Sequence, residues 1–255
     1  MEKTHRWKVS PAEAREIQLE LRKQWEGGDR FGGLRTVAGL DASFLLTGSQ
    51  AFTVKGRWSR LRAANYAIGG IVSLSYPDFQ VVERVYAVEK LTFPYVPGFL
   101  SFREIPVLLS ALKKLKTKPD LVFCDGQGYA HPRRMGLASH MGIVAGLPSI
   151  GCAKSILIGT HAALPQSAGS WVPLVDEKAG GETIGAALRT RDTVNPIYVS
   201  QGHRVTLETA LRLVLEATDG FRIPRPTRLA DQWVGEIKRR EFPGNSPDSG
   251  DSSEN

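Results

Sequence analysis

Only two cysteines, Cys124 and Cys152, occur in 255 residues, and no Cys-x-x-Cys pair is present. That excludes a disulfide-built scaffold and argues against structural zinc. Both thiols sit in apolar stretches and read as buried and reduced, which points to a reducing, cytoplasmic setting. No apolar run is long enough to span a bilayer, and the polar N-terminus lacks the apolar core of a secretory signal. Acids are also short: 26 Asp and Glu face 33 Lys and Arg, a formal charge of +7. With a pI near 9.5, this balance favours polyanionic partners such as DNA, RNA or nucleotides. A composition 42% hydrophobic and 23% charged is ordinary for a globular protein. The length suits one α/β domain, expected over residues 1–242. Residues 243–255 are rich in Gly, Ser, Pro, Asp and Asn and are expected to be a disordered tail.

Periodicity gives the order of elements. Ser10-Pro11-Ala12-Glu13 is a capping box with proline at the first helical position, and Ala14, Ile17, Leu21 and Trp25 share one helix face. Residues 35–44, 66–76 and 80–90 read as three strands with short connections, hence an antiparallel meander. A helix is expected over 102–116. Strand 119–125, helix 135–146 and strand 148–153 then alternate, which indicates a parallel portion. Strands over 170–175, 183–190 and 196–200 follow. Thr206 caps a helix through Ala217, and a last helix starts at Thr227. The fold class is therefore α/β, with a mixed sheet.

Residues 121–134, Leu-Val-Phe-Cys-Asp-Gly-Gln-Gly-Tyr-Ala-His-Pro-Arg-Arg, carry the densest chemistry. An apolar strand ends in Asp125, where α/β sheets keep their ligand sites. A carboxylate there suits a hard cation, glycines allow close backbone approach, and arginines suit phosphate. Phosphodiester hydrolysis near neutral pH needs an activated water and a stabilised leaving oxygen, which divalent ions supply. Asp41 lies inside the apolar run Val37–Phe44, which is costly unless the acid is paired or holds metal. Glu104 is the third acid. Ser101 and Glu104 have capping-box spacing, but Pro106 argues for a helix start nearer Ile105, which frees Glu104 to face the site. His203 could ligate metal, position a water or shuttle a proton, or be structural. Lys154 ends a strand and could steady phosphate charge, or be a surface lysine. In residues 55–62 four cations flank Trp58, which suits either a loop touching a nucleic-acid backbone or a solvated hairpin.

Taken together the motifs resemble the endonuclease V family. They are Gly39-Leu40-Asp41-Ala42-Ser43-Phe44, Pro94 through Glu104, Asp125-Gly126-Gln127-Gly128 through Arg134, Ala138-Ser139-His140, Gly151-Cys152-Ala153-Lys154 and Gly202-His203-Arg204. They occur in family order across residues 35–230. The resemblance implies a ribonuclease H-like fold: three antiparallel strands, then parallel ones, with flanking helices. It implies a Mg2+-dependent enzyme, with Mn2+ as a substitute, that nicks DNA at the second phosphodiester bond 3′ to a deaminated base, chiefly hypoxanthine. Products would carry 3′-hydroxyl and 5′-phosphate ends.

By position, Asp41, Glu104 and Asp125 would be metal carboxylates, His203 a further catalytic residue and Lys154 the nearby cation. Pro94, Tyr95, Val96 and Pro97 would form a wedge, stiffened by proline, with Tyr95 replacing the stacking lost when the base leaves. Gly98, Gly126 and Gly128 would border the base pocket, with His131 and Leu137 beside them. Gln127 departs from the histidine common in the family, and the segment around residues 45–64 is longer and more basic than usual. Other readings are an inosine-specific endoribonuclease of the same fold and a catalytically idle nucleic-acid binder. Intact Asp41, Glu104 and Asp125 argue against the last. A monomer acting on deaminated DNA, or on inosine-containing RNA, is expected, with no membrane partner.

Overall fold

The computed structural model describes residues 5–46, 59 and 63–243. The tail from residue 244 and, Ser59 apart, the basic segment 55–62 lie outside the described residues. One eight-stranded sheet runs through the described chain. Its strands are β1 (Thr36–Leu45), β2 (Tyr66–Ser75), β3 (Val81–Lys90), β4 (Leu121–Cys124), β5 (Ser149–Ala153), β6 (Trp171–Asp176), β7 (Glu182–Leu188) and β8 (Ile197–His203). Their spatial order is β3-β2-β1-β4-β5-β8-β7-β6. The expected meander β1–β2–β3 is antiparallel, and β1, β4 and β5 are parallel. The remaining three strands form a second antiparallel unit against β5. Short links between β6, β7 and β8 explain their antiparallel order, because a parallel crossover needs a dozen or more residues, usually a helix.

Helices α1 (Pro11–Arg22), α2 (Ser101–Leu112), α3 (Leu137–Ala145), α4 (Leu207–Glu216) and α5 (Arg225–Glu241) flank the sheet. The Ser10/Glu13 capping box and the Thr206 cap both form. Side chains alternate across β1, as a strand requires. Ala38 and Leu40 pack with Ile105, Leu108 and Met141 of α2 and α3. Val37 packs on the other face, with Leu211 and Ala230 of α4 and α5. Gly39 is on that second face because α5 rests there. A Cβ at Gly39 would lie 1.8 Å from the Pro226 carbonyl oxygen. Gly70, paired with Asp41, does the same beneath Val234, where a Cβ would come within 2.4 Å. Among the described residues no helix is long and apolar enough to cross a membrane.

One expected boundary is wrong. Helix α2 begins at Ser101, not near Ile105, and carries Pro106 inside it. Ser101 makes no capping bond to the helix; its hydroxyl meets His140 Nδ1 at 3.0 Å. The first turn is closed instead by backbone bonds from Phe102, Arg103 and Glu104 to Phe99 and Leu100. Proline at the sixth position costs one further backbone bond, and the burial of Phe102, Ile105 and Leu108 offsets it.

Candidate active site

Asp41 and Asp125 meet because their strands are adjacent and parallel. Leu40 pairs with Cys124, and Asp125 N donates to the Leu40 carbonyl at 3.3 Å. Asp41 follows Gly39 by two residues and so faces α5. That helix adds an acid absent from the expected set, Asp231. Carboxylate oxygens of Asp41, Asp125 and Asp231 all lie within 4.8 Å of one another. Glu104 reaches toward the same place from α2 on the opposite face and is only 7% exposed. The Lys154 ammonium, at the end of β5, bonds Asp125 Oδ2 at 2.5 Å.

Crowded carboxylates cannot all ionise in a half-buried site. Burial, then the charges of Asp125 and Asp231, push Asp41 up to about 8. Burial first, and then Asp41 and Asp125, hold Glu104 well above the usual carboxylate range. Burial opposes the Lys154 charge, but Asp125 outweighs it and holds the ammonium above its ordinary value. An all-carboxylate set of this kind fits a hard divalent cation, which would displace the shared protons.

The 94–98 loop leads into α2, the helix that carries Glu104. Val96 packs with Phe93, Phe99 and Phe102, while Pro94 and Pro97 are exposed and Tyr95 is half-buried. Buried Arg103 lies 4.6 Å from the centre of the Phe44 ring and 6.0 Å from that of Tyr95. Gly98 takes a left-handed φ of 78°, which favours glycine. Its carbonyl accepts from His131 Nε2 at 3.0 Å, Arg133 at 2.7 Å and Gln18 at 3.2 Å. Since a carbonyl only accepts, His131 carries its proton on Nε2, and Nδ1 accepts from Arg133 N at 3.2 Å. Burial, then Arg133, push His131 down to about 4, so it is neutral.

The model of the endonuclease V family matches residues 16–232, nearly all of the described chain. The chain belongs to the endonuclease V family. An endonuclease V of Roseiflexus sp. (strain RS-1) is 47% identical over 225 residues, covering 88% of this chain and 92% of its own. The crystal structure of endonuclease V from Streptomyces avermitilis superposes with a TM-score of 0.79 at 38% identity, covering 92% and 96%. Ciona intestinalis endonuclease V, in complex with a 24mer DNA containing an inosine followed by a ribo-adenosine, superposes at 0.75 with 29% identity, covering 90% and 98%. The protein is thus a nuclease, and its acid cluster lies within the family match.

His203 and the glycines after Asp125 make contacts of their own away from the acid cluster. His203 is not brought to the acids. It pairs with Ser149, two residues before Gly151, whereas Cys124 pairs with Gly151 itself. At ~3.3 Å per residue, that sets it about 7 Å behind Cys124 along the sheet, and roughly 10 Å behind Asp125, one residue further on. There the imidazole Nδ1 accepts from Glu26 N at 3.3 Å. Burial, then Arg204, push it down to about 4. It fastens the α1–β1 connection to β8. The glycines after Asp125 also serve packing. A Cβ at Gly128 would lie 2.1 Å from the Gln201 carbonyl oxygen, so β8 already fills that side. Gly126 faces Leu137, 3.2 Å from its would-be Cβ. Gln127 is buried and donates through Nε2 to the Ser155 carbonyl at 2.8 Å.

Proposed function

We propose that this endonuclease uses Mg2+ to nick DNA at the second phosphodiester bond 3′ to hypoxanthine, leaving 3′-hydroxyl and 5′-phosphate ends. The observation that carries the metal dependence is the convergence of Asp41, Asp125 and Asp231 within 4.8 Å, with Glu104 buried beside them. Mg2+ suits oxygen donors and, when bound, supplies charge that activates a water and stabilises the departing O3′. Asp41, Asp125 and Asp231 would hold it, and Glu104 would complete the acidic wall. Lys154 fixes Asp125 and offers its remaining N–H groups to the phosphate. Tyr95, in the loop Pro94-Tyr95-Val96-Pro97, would fill the gap left by the extruded base. Gly98, Gly126, His131 and Leu137 would border that base, with Gly128 setting the path of their loop. The inosine-containing DNA bound to the Ciona protein supports this substrate.

A duplex with one deoxyinosine, assayed with Mg2+ or with EDTA, tests the proposal. A Mg2+-dependent nick 3′ to the inosine is expected, and its absence defeats the reading. The same sequence as inosine-containing RNA runs alongside. Preferential cutting of that RNA would make the chain an endoribonuclease. Asp125→Asn should abolish cutting and spare binding, while Tyr95→Ala should lower lesion preference more than non-specific binding.

A further inference from the structure

Phe221 is 52% exposed in the turn between α4 and α5, whereas Ile223, two residues on, packs against the core. Single exposed apolar residues need no explanation. The way this one is held does. Gly220 turns the chain with a φ of 83°. Arg222 then bonds the carbonyls of Asn195 at 2.8 Å, Pro196 at 2.7 Å and Lys154 at 2.9 Å, and its own carbonyl accepts from Thr190 at 2.7 Å. The Arg228 guanidinium lies 4.0 Å from the Phe221 ring centre and is itself clamped by Asp219 at 2.5 and 2.6 Å. A cation so placed rests on the ring face and fixes its orientation.

The position matters as much as the rigidity. Arg222 grips the backbone of Lys154, whose ammonium touches Asp125. Arg228 precedes Asp231 by three residues on α5, so the two share a helix face. Phe221 is therefore joined to the acid cluster by the length of the Arg228 side chain and one turn of α5. Tyr95 stands near Arg103 of α2. Tyr95 is thus linked to the acids by way of α2, which carries Glu104, and Phe221 by way of α5, which carries Asp231.

We propose that Phe221 is a stacking platform for a base of the cut strand, on the 3′ side of the cleaved bond. Arg228 braces the ring, and Arg222 ties the platform to the residue that holds Asp125. The orientation of the strand rests on the lesion reading above; the stacking does not. The test is a binding cycle in EDTA. Each base 3′ of the inosine is replaced in turn by an abasic residue, and the same scan is run on an undamaged single strand. Wild type, Phe221→Ala and Phe221→Trp are compared. One abasic position should weaken wild-type binding roughly tenfold, as losing one base–aromatic stack does. Phe221→Ala on intact strands should lose the same factor, and nothing further at that position, while Phe221→Trp binds like wild type. A merely structural Phe221 would give losses that multiply at every position. That result, or unchanged binding by Phe221→Ala, overturns the proposal. If wild type fails to nick inosine duplexes, the lesion reading falls, and the undamaged strand still decides the stacking.

Discussion

Replacing Asp41 with asparagine is expected to stabilise the metal-free protein at neutral pH while destroying its activity. The reason is the pKa near 8 that burial, Asp125 and Asp231 impose on Asp41 in the folded chain. In the unfolded chain the same group titrates near ~3.9. Between these values the folded state keeps a proton that the unfolded state has released. Stability therefore falls as pH rises through this window and levels off above about 8. The slope is ~1.4 kcal/mol per pH unit for one such group, so roughly 2–3 kcal/mol is lost between about pH 5 and pH 7. Solvent at half-buried Asp41 makes that a ceiling, and Glu104, raised in the same sense, adds to it. Urea denaturation in EDTA across that range measures the slope. Asp41→Asn keeps the shape, cannot ionise, and should remove Asp41's share of the slope while leaving that of Glu104. Mg2+ binds the ionised cluster only, so it should restore wild-type stability at the upper end. It should do so by ~2.7 kcal/mol at a hundredfold excess over its Kd, and much less in the variant. Equal slopes in both proteins would show that the decline arises elsewhere, and would remove the electrostatic argument for a cation site.

Other outcomes follow from single contacts. Asp231→Asn should lower Mg2+-dependent cutting by roughly 10² or more and leave EDTA binding intact, since a held metal contributes several kcal/mol to such a transition state; unchanged cutting would remove Asp231 from the cluster's chemistry. Gly128→Ala forces a Cβ against the Gln201 backbone and should cost ~3 kcal/mol or more, whereas Gly126→Ala meets only the Leu137 side chain and should cost less than ~1.5 kcal/mol. Similar unfolding midpoints for those two variants would contradict the packing account. Arg134, 4% exposed and paired with Asp176 at 2.8 Å and Glu182 at 2.6 Å, ties the β6–β7 hairpin to the loop after β4. Arg134→Ala should destabilise by about 2–4 kcal/mol, and a loss below ~0.5 kcal/mol would show that the pairs are solvent-screened.

Much of the sheet was legible because its strands are apolar runs broken by turn residues, and Asp41 and Asp125 stood out as acids inside them. Glu104 was found for an incorrect reason, since Pro106 sits inside α2 and not before it. Asp231 was missed because its neighbours Arg228 and Gln232 make it look like a solvated helix residue. What places it is written in the strands. Glycine weakens a central strand unless another backbone must come close. Gly39, two residues before Asp41, admits the Pro226 carbonyl, and Gly70, opposite Asp41, admits Val234. Both therefore mark where α5 lands and bring its acid to Asp41. His203 was assigned to the site from its family motif, which says nothing of strand direction. In β1 and β4 the C-terminal end is the acidic end. β8 runs antiparallel to β5, so its C-terminal His203 faces away, and residues before its start, Asn195 and Pro196, lie near Lys154 through Arg222. The link between β7 and β8, residues 189–196, is too short for a parallel crossover. That link sets β8 antiparallel to β7, and the antiparallel pairing of β8 with β5 carries His203 away from the acids.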